Sequence, residues 1–346
     1  MNFKLKKLSA QTIVITGASS GIGLVTARMA AERGARLVLA ARSEEAIRQL
    51  ANEITDAGGE AIAVVADVGK EEDVRRIADA ARQRFGGFDT WVNNAGVSVY
   101  GRILEVPNED HRQLFETNFW GVVYGSRIAA EHLKRRGGAL INIGSTLSDR
   151  AIPIQGMYSA SKHAVKGFTD ALRMELEAEG APVSVTLVKP AAINTPYPQH
   201  AKNYLPGEPS LPPPVYAPEV VAEAILHCAE HPERDVFAGG GGKALSVSEK
   251  YMPRLTDKAM EWTMLEMQQS DRPPRRRRED NGLDKASGAL KERGLYEGHT
   301  SESSLYTKAS LHPATTAALV LGVAGLALAA LWRPWQANGD DGQTAT

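Results

Sequence analysis

The sequence predicts an α/β fold of the doubly wound type, in which helices cover both faces of a parallel sheet. Three observations predict it. Short apolar runs rich in Val and Ile alternate with longer amphipathic stretches from about residue 12 to residue 237. The apolar runs carry almost no charge, which is typical of strands buried on both faces. Glycines follow the amphipathic stretches where helix C-caps belong, so repeated right-handed βαβ units in one domain are expected.

The elements follow one another in strand–helix order. Six strands are predicted, at residues 12–15, 36–41, 61–66, 90–93, 139–143 and 183–188. Helices with charges on one face are predicted at residues 22–32, 43–57 and 71–84. Further helical patterns cover 217–227 and 250–268, after the last predicted strand.

The region from 196 onwards breaks the alternation. Seven prolines lie within 196–214, and neither a helix interior nor a central strand tolerates them, so a functional lid or a disordered insert is expected. We therefore divide the chain into a dinucleotide-binding catalytic domain (1–245), an additional helix (246–269) and a polar flexible linker (270–312). The linker's arginine-rich run at 272–278 could contact anionic lipid headgroups, but we favour the interpretation that it is a solvated part of the linker.

The C-terminal region predicts a transmembrane helix at 313–333, followed by a tail at 334–346. Residues 314–332 contain no charged side chain, and at about 1.5 Å per residue such a helix spans roughly 28 Å, close to a hydrocarbon core. Pro313 suits a first helical turn, and Trp332 and Trp335 suit an interface. Because the stretch is rich in alanine, a buried helix of the soluble fold is the alternative.

Composition limits the partners and the location. Lys and Arg total 40 and Asp and Glu 41, for a net charge of −1, so no nucleic-acid partner is expected. The single cysteine, Cys228, suits a buried core position in a reducing compartment. Because no apolar signal region precedes Thr12, we expect a membrane-associated protein with a cytoplasmic catalytic domain, a soluble cytoplasmic protein being the alternative.

A glycine-rich loop joins the first strand to the first helix. Glycines there permit a tight turn and let the backbone approach a pyrophosphate, which the free N–H groups of the helix N-terminus stabilise. The spacing is Gly-x-x-x-Gly-x-Gly rather than the commoner Gly-x-Gly-x-x-Gly. The loop residues expected at the cofactor are Gly17, Ser19, Ser20, Gly21, Ile22 and Gly23.

The end of the second strand indicates which nicotinamide cofactor is bound. No carboxylate stands there to accept hydrogen bonds from the ribose of NAD, and Arg42 follows instead. A guanidinium can hold a 2′-phosphate, so NADP(H) is preferred over NAD. Arg42 could instead be an exposed start to the next helix. Asp67, after the third strand, is expected at the adenine edge.

Tyr158 and Lys162 lie four residues apart, which places a phenol and an ammonium group on one helix face. A free tyrosine has a pKa near 10, and a cation within about 4–6 Å lowers it towards the working pH. Ser145 ends the fifth predicted strand, at the sheet edge where ligands bind in open α/β folds. A Tyr-x-x-x-Lys pair is common on helix surfaces, so it indicates a catalytic site only in combination with Ser145 and the other motifs.

Together these residues resemble the short-chain dehydrogenase/reductase family, in its NADP-preferring branch with a Rossmann-type sheet. The resemblance runs from about residue 11 to residue 240 and rests on ordered motifs. They are the loop at 16–23, Asp67 and Val68, residues 93–96 (Asn-Asn-Ala-Gly), Asn118, Ser145, Tyr158 with Lys162, and Pro190 with Thr195. Pro190 is followed by Ala191 and Ala192, where the family usually has Pro-Gly.

The resemblance implies a role for each matched residue. Tyr158 would be the general acid/base, Ser145 would hydrogen-bond the substrate oxygen, and Lys162 would hold the nicotinamide ribose and lower the tyrosine pKa. Asn118 would complete a proton relay to solvent. The further positions expected near the cofactor are Val68, Asn94, Ala95, Gly96, Pro190, Ile193 and Thr195. No metal is implied, and a homo-oligomer is expected.

The sequence leaves three functional hypotheses. The first is a carbonyl reductase or alcohol dehydrogenase acting on an apolar, lipophilic small molecule, which every motif supports. The second is a sugar-nucleotide epimerase or dehydratase, whose Gly-x-x-Gly-x-x-Gly loop is not found here. The third is a membrane-tethered binding module without activity, which the complete set of reacting residues disfavours. The substrate pocket is expected from residues 97–106, 146–156 and 196–214.

Overall fold

A seven-stranded, all-parallel sheet forms the centre of the molecule, in a computed structural model that describes residues 4–287, 290–318, 321–322 and 324. Its order is β7-β6-β5-β4-β1-β2-β3, which confirms the doubly wound prediction. The strands are β1 (Thr12–Thr16), β2 (Arg36–Ala41), β3 (Glu60–Val65), β4 (Thr90–Asn93), β5 (Gly138–Ile143), β6 (Val183–Pro190) and β7 (Asp235–Ala238). The sequence did not predict β7, a strand of four residues.

Helices connect these strands and continue beyond them. The described α-helices are α1 (Gly21–Glu32), α2 (Glu44–Asp56), α3 (Glu71–Phe85), α4 (Asn108–Phe115), α5 (Gly121–Arg136), α6 (Gly156–Ala178), α7 (Tyr197–His200), α8 (Pro218–Glu230), α9 (Gly240–Tyr251), α10 (Pro253–Met267) and α11 (Leu305–Leu311). A π-helical turn, Glu116–Trp120, links α4 to α5.

The core lies between the sheet and the helices on its two faces. Ile77 of α3 and Leu133 of α5 are fully buried in one cluster with Val14 of β1 and Leu140 of β5. On the other face, α1 packs against α8, where Leu24 and Ile225 are buried. Because both faces are covered, the strands are apolar along almost their whole length.

Residues 240–267 form two helices, where the sequence predicted a catalytic domain ending at 245 and one helix at 246–269. Helix α9 ends at Tyr251, and Met252 has the non-helical angles φ −138° and ψ 54°. Pro253 then begins α10, because proline fits a first helical turn but cannot donate within a continuing helix. The predicted domain boundary at 245 therefore falls inside α9.

Residues 270–307 pack against the catalytic domain, whereas the sequence predicted a flexible linker at 270–312. Met1–Thr307 forms one compact unit. Leu283 is buried, and Thr300–Ser301 pairs with the short strand Val215–Tyr216. The segment is held by backbone hydrogen bonds and ion pairs more than by apolar side chains. Its polar composition therefore does not reveal that it packs against the domain.

A second unit begins at Lys308. In it, Thr316 Oγ1 donates to the carbonyls of Ala309 and His312. Within the described residues, no helix combines the length and the apolarity that crossing a bilayer requires. The predicted transmembrane helix at 313–333 is described only in part, and the predicted tail at 334–346 lies outside the described residues.

Candidate active site

The glycine-rich loop is shaped by contacts from the end of β4. Asn94 Nδ2 donates to the carbonyls of Thr16 (2.9 Å) and Gly17 (3.3 Å), and the backbone N–H groups of Asn94 and Ala95 donate to Thr16 Oγ1. A Cβ on Gly23 would lie 2.2 Å from the Gly17 carbonyl oxygen, and Gly17 has φ +68°. Both positions therefore require glycine, and the loop at 16–23 is held against residues 94–95.

A cavity of about 180 Å³ lies between this loop and the ends of β2 and β3. Most of the residues expected at the cofactor line it: Gly17, Ser19, Ser20, Gly21, Ile22, Arg42, Asp67, Val68, Asn94, Ala95, Gly96 and Thr195. Ser20 precedes the first turn of α1, whose N–H groups lack partners within the helix. The Gly21 N–H donates to the Lys291 carbonyl (2.9 Å), which leaves the N–H groups of Ile22 and Gly23 for an anion. The arrangement can hold the adenosine and phosphate portions of a dinucleotide.

Arg42 is engaged by a segment far away in the sequence. Its guanidinium donates to three backbone carbonyls, those of Gly282, Leu283 (3.1 Å) and Lys285 (3.1 Å). Arg42 still lines the cavity. The sequence carried no signal of these contacts, because they join positions about 240 residues apart.

The reacting groups lie at the other end of the cleft, where β5 and β6 end. Tyr158 and Lys162 lie one turn apart on α6, and Lys162 Nζ is 5.6 Å from the centre of the Tyr158 ring. The same ammonium donates to the carbonyl of Ile143 (2.8 Å), the last residue of β5. Ser145, two residues further on, accepts a hydrogen bond from the Leu147 N–H (3.0 Å). The structure thus brings Ser145, Tyr158 and Lys162 together.

Asn118 lies in the π-helical turn and is fully buried. Its Oδ1 accepts from the Val97 N–H (2.8 Å), and its Nδ2 donates to the Val97 carbonyl (3.0 Å) and to Ser161 Oγ (3.3 Å). Ser161 neighbours Lys162 on α6. The side chain of Asn118 therefore ties the chain after β4 to α6, and a relay through Asn118 stays a prediction.

Burial governs the protonation of the two central groups. It raises the pKa of the Tyr158 phenol, and hydrogen bonding to Tyr197 and Ser145 opposes this only in part. It lowers the pKa of the Lys162 ammonium from 10.5 to about 8. The expected lowering of the tyrosine pKa by Lys162 is not found, because desolvation disfavours both charged forms. A phenol that keeps its proton can serve as a proton donor at neutral pH.

Tyr197 is a site residue that the sequence analysis missed. Its ring meets that of Tyr158 edge-on, with the ring centres 5.5 Å apart. Its hydroxyl donates to Gln155 Oε1 (2.9 Å) and is hydrogen-bonded to the Ser98 hydroxyl (2.7 Å). Tyr197 lies within the proline-rich stretch at 196–214. The prolines predicted a lid or a disordered insert there and gave no indication of a site residue.

A second cavity of about 540 Å³ contains Ser145, Tyr158 and Lys162. It shares Ile22, Asn94, Gly96, Thr195 and Tyr197 with the smaller cavity, so the two form one cleft. Pro190, Ile193 and Thr195 line it as expected for the nicotinamide side. The remaining wall is mainly apolar: Leu147, Ile152, Leu211, Pro212, Pro213, Pro214, Leu245, Met260 and Met264.

The expected substrate segments supply part of this wall. Residues 146–156 and 196–214 contribute to it, and 97–106 contributes Tyr100. Helices α9 and α10, which the sequence analysis did not assign to the site, add Leu245, Met260 and Met264. Within the described part of the chain, no cluster of three potential metal ligands is found.

Comparisons with known proteins agree with this arrangement. The model of the family described as short chain dehydrogenase matches residues 11–204. A Bacillus subtilis (strain 168) protein named an uncharacterized oxidoreductase, YxnA, is 52% identical over 332 residues, covering 94% of this chain and 92% of its own length.

Two solved structures show the same fold, each at 26% sequence identity. A short-chain dehydrogenase/reductase from Burkholderia phymatum in complex with NAD has a TM-score of 0.65 and covers 72% of this chain and 96% of its own. A short-chain dehydrogenase from Burkholderia cenocepacia J2315 in complex with NADP has a TM-score of 0.63 and covers 74% and 99%.

The chain belongs to the short-chain dehydrogenase/reductase family. It is accordingly an oxidoreductase of the class that uses a nicotinamide dinucleotide and generally interconverts carbonyls and alcohols. The comparisons include complexes with both NAD and NADP, so they leave the cofactor preference open.

Proposed function

We propose that the protein is an NADP(H)-dependent oxidoreductase that interconverts an apolar carbonyl compound and its alcohol. One observation carries the proposal: Tyr158, Ser145 and Lys162 share a cavity that is continuous with the cavity beside the glycine-rich loop. The cleft suits a dinucleotide because the glycine-rich loop presents no side chains at Gly17 and Gly23, and because the N–H groups of Ile22 and Gly23 lie at the start of α1.

The protein's own groups bind and protonate the substrate. Ser145 and Tyr158 would both hydrogen-bond the substrate oxygen, which fixes the carbonyl carbon in front of the nicotinamide. In the reductive direction the Tyr158 hydroxyl gives its proton to that oxygen, and in the oxidative direction the phenolate takes it back. The nicotinamide, when bound, supplies or accepts the hydride. Lys162 holds the nicotinamide ribose and replaces the tyrosine proton, for which a pKa of about 8 is suitable.

Arg42 supports the preference for NADP(H). It lines the adenosine end of the cleft, and no carboxylate ends β2 to bind the ribose of NAD. Backbone carbonyls accept hydrogen bonds from the guanidinium without neutralising its charge. The charge therefore remains available to a 2′-phosphate.

The cavity wall supports an apolar substrate. Three prolines from the 196–214 segment and the methionines of α10 face Tyr158 across the cavity. Unbranched methionines adapt to irregular apolar shapes, so this wall suits a bulky lipophilic molecule. We also propose that the uncharged stretch at 314–332 attaches the protein to a membrane, and that the chain forms a homo-oligomer as family members often do.

The proposal is tested by a substrate screen with the purified full chain. NADPH oxidation would be followed against lipophilic aldehydes, ketosteroids, retinoids and 3-ketoacyl compounds, with NADH in parallel. Turnover of at least one carbonyl class, absent in Tyr158→Phe, is expected. If a sugar nucleotide is converted without net consumption of NADPH, the epimerase alternative replaces this proposal.

A further inference from the structure

A C-terminal segment crosses the adenosine end of the cleft. We define it as the strap, residues 281–287 and 290–294. We propose that the strap is a working part of the cofactor site, which closes over the adenosine portion of the dinucleotide and controls how tightly it is held and how fast it leaves. The proposal rests on the proposed function in one respect, namely that the cleft binds a nicotinamide dinucleotide.

The strap contacts both elements that would face the adenosine portion. At the end of β2, Arg42 donates to the carbonyls of Gly282, Leu283 and Lys285. At the start of α1, the Gly21 N–H donates to the Lys291 carbonyl at 2.9 Å. The strap therefore spans from the residue expected at the 2′-phosphate to the loop expected at the pyrophosphate.

Strap residues also form part of the cavity surface. Gly282, Ala286 and Ser287 line the 180 Å³ cavity together with Ser19, Arg42 and Asp67. A dinucleotide bound there would touch the strap on one side and the glycine-rich loop on the other. Because strap residues form part of this wall, a movement of the strap would change access to the adenosine end.

One end of the strap is anchored by a buried side chain. Leu283 is 1% exposed and packs with Val97, Val99, Val106 and Leu114. Its carbonyl also accepts from Gln113 Nε2 at 2.8 Å, a side chain of α4. This anchor lies beside Arg42, and the Tyr158 ring packs against the same cluster.

Polar contacts shape and hold the same end. Asn281 Oδ1 accepts from the N–H groups of Leu283 (2.8 Å) and Asp284 (2.9 Å), which folds the chain into a tight turn. Asp284 pairs with Lys202 at 3.0 Å. These contacts order the turn whose carbonyls receive the Arg42 guanidinium.

The other end is held by α1 and by the residue that precedes Thr195. Glu292 pairs with Arg28 of α1 at 2.6 Å, and the Gly294 N–H donates to Asn194 Oδ1 at 3.2 Å. Asn194 directly precedes Thr195, which lines both cavities. The strap is thus fastened at both ends, and one anchor can be weakened while the other stays in place.

Stopped-flow displacement of bound NADPH and NADH tests the proposal. Leu283→Ala removes the buried anchor, so the dissociation rate of both cofactors should rise about tenfold or more, because the strap opens more often. Leu295→Ala is the matched control, since Leu295 is 52% exposed and lies just outside the strap. Asp284→Asn weakens the pair with Lys202 and the hydrogen bond from Asn281 Nδ2, so it should give a smaller rise in the same direction without a change in the hydrophobic core.

A second readout separates gating from general damage. At saturating NADPH, the kcat of Asp284→Asn should not fall, because Asp284 lines neither cavity and is not part of the cluster that holds the Tyr158 ring, whereas a collapsed active site would lower it. Hydrogen exchange at the amides of Gly282, Leu283 and Gly294 should slow when NADPH binds to the wild-type protein. All three results together are expected.

Two outcomes overturn the proposal, and they differ. If wild type binds NADPH while Leu283→Ala and Asp284→Asn release both cofactors at the wild-type rate, the strap has no role and the proposed function stands. If wild type binds neither NADPH nor NADH, the proposed function fails and the strap proposal fails with it.

Discussion

Lys162→Met is expected to abolish activity without destabilising the protein. Lys162 is 4% exposed, and burial lowers the pKa of its ammonium from 10.5 to about 8. That lowering corresponds to a cost of about 3 kcal/mol for keeping the group charged below pH 8. Met has a similar length and carries no charge, so the cost disappears in the variant.

The expected gain in the free energy of unfolding of Lys162→Met is reduced by the loss of one hydrogen bond. Lys162 Nζ donates to the Ile143 carbonyl, and an unpaired buried carbonyl costs about 1–3 kcal/mol. At pH 7 the variant should therefore unfold with a free energy equal to that of wild type or up to about 2 kcal/mol higher. Between pH 8 and 10.5 the unfolded wild type binds more protons than the folded form, so wild-type stability rises with pH relative to the variant.

Urea unfolding of both proteins without cofactor, at about pH 7 and about pH 9.5, measures this effect. Comparing the two proteins cancels the titration of all other groups. Lys166→Met is the control on the same helix: Lys166 is 38% exposed and pairs with Asp149, so the variant should lose stability at pH 7. If Lys162→Met is less stable than wild type by the same amount at both pH values, the reasoning is refuted.

Three further predictions concern cofactor choice, the core and location. Arg42→Ala should raise the dissociation constant of NADPH about tenfold to a hundredfold more than that of NADH; titration of both cofactors checks this, and equal changes would exclude a 2′-phosphate contact. Asn142→Ala removes a fully buried amide that accepts from Asn93 and donates to Thr169, so calorimetry should show a loss of about 2–4 kcal/mol, and a loss below about 1 kcal/mol would contradict the network. The full chain should pellet with membranes while a chain ending at Leu311 stays in the supernatant; identical behaviour of the two would contradict membrane attachment.

The sheet could be predicted because its strands carry a strong signal. Buried parallel strands are continuous apolar runs, and six of the seven were found from that property. The seventh, Asp235–Ala238, is an edge strand among the described residues, pairs with β6 and is too short to stand out. The glycine-rich loop was also predictable, since Gly23 is packed against the Gly17 carbonyl and tolerates no side chain.

The strap was not predictable, because its contacts are between distant residues and involve mainly the backbone. Arg42 meets three carbonyls, and any residue type offers a carbonyl. The strap contains two leucines, Leu283 and Leu290, and two leucines in a polar stretch do not predict a packed segment. Tyr197 was missed for a related reason, since prolines on both sides of it dominate the local composition.

The protonation of the site also required the structure. Spacing places Tyr158 and Lys162 on one helix face, which predicts mutual influence on their pKa values. Desolvation depends on every group packed around them, and sequence spacing does not report it. The structure shows that burial outweighs the pair interaction and raises the pKa of Tyr158.

The most direct test of the account is the kcat of Tyr158→Phe on the carbonyl substrate identified in the screen. The change removes one hydroxyl and keeps the ring that packs beside Val97 and Leu114. Tyr204→Phe is the control, because Tyr204 packs in the same cluster but bonds to Asp110 and lies outside the cavity. We predict that kcat falls about 10²-fold or more in Tyr158→Phe alone, with NADPH affinity nearly unchanged. A kcat comparable to that of wild type would contradict the assignment of Tyr158 as the general acid/base.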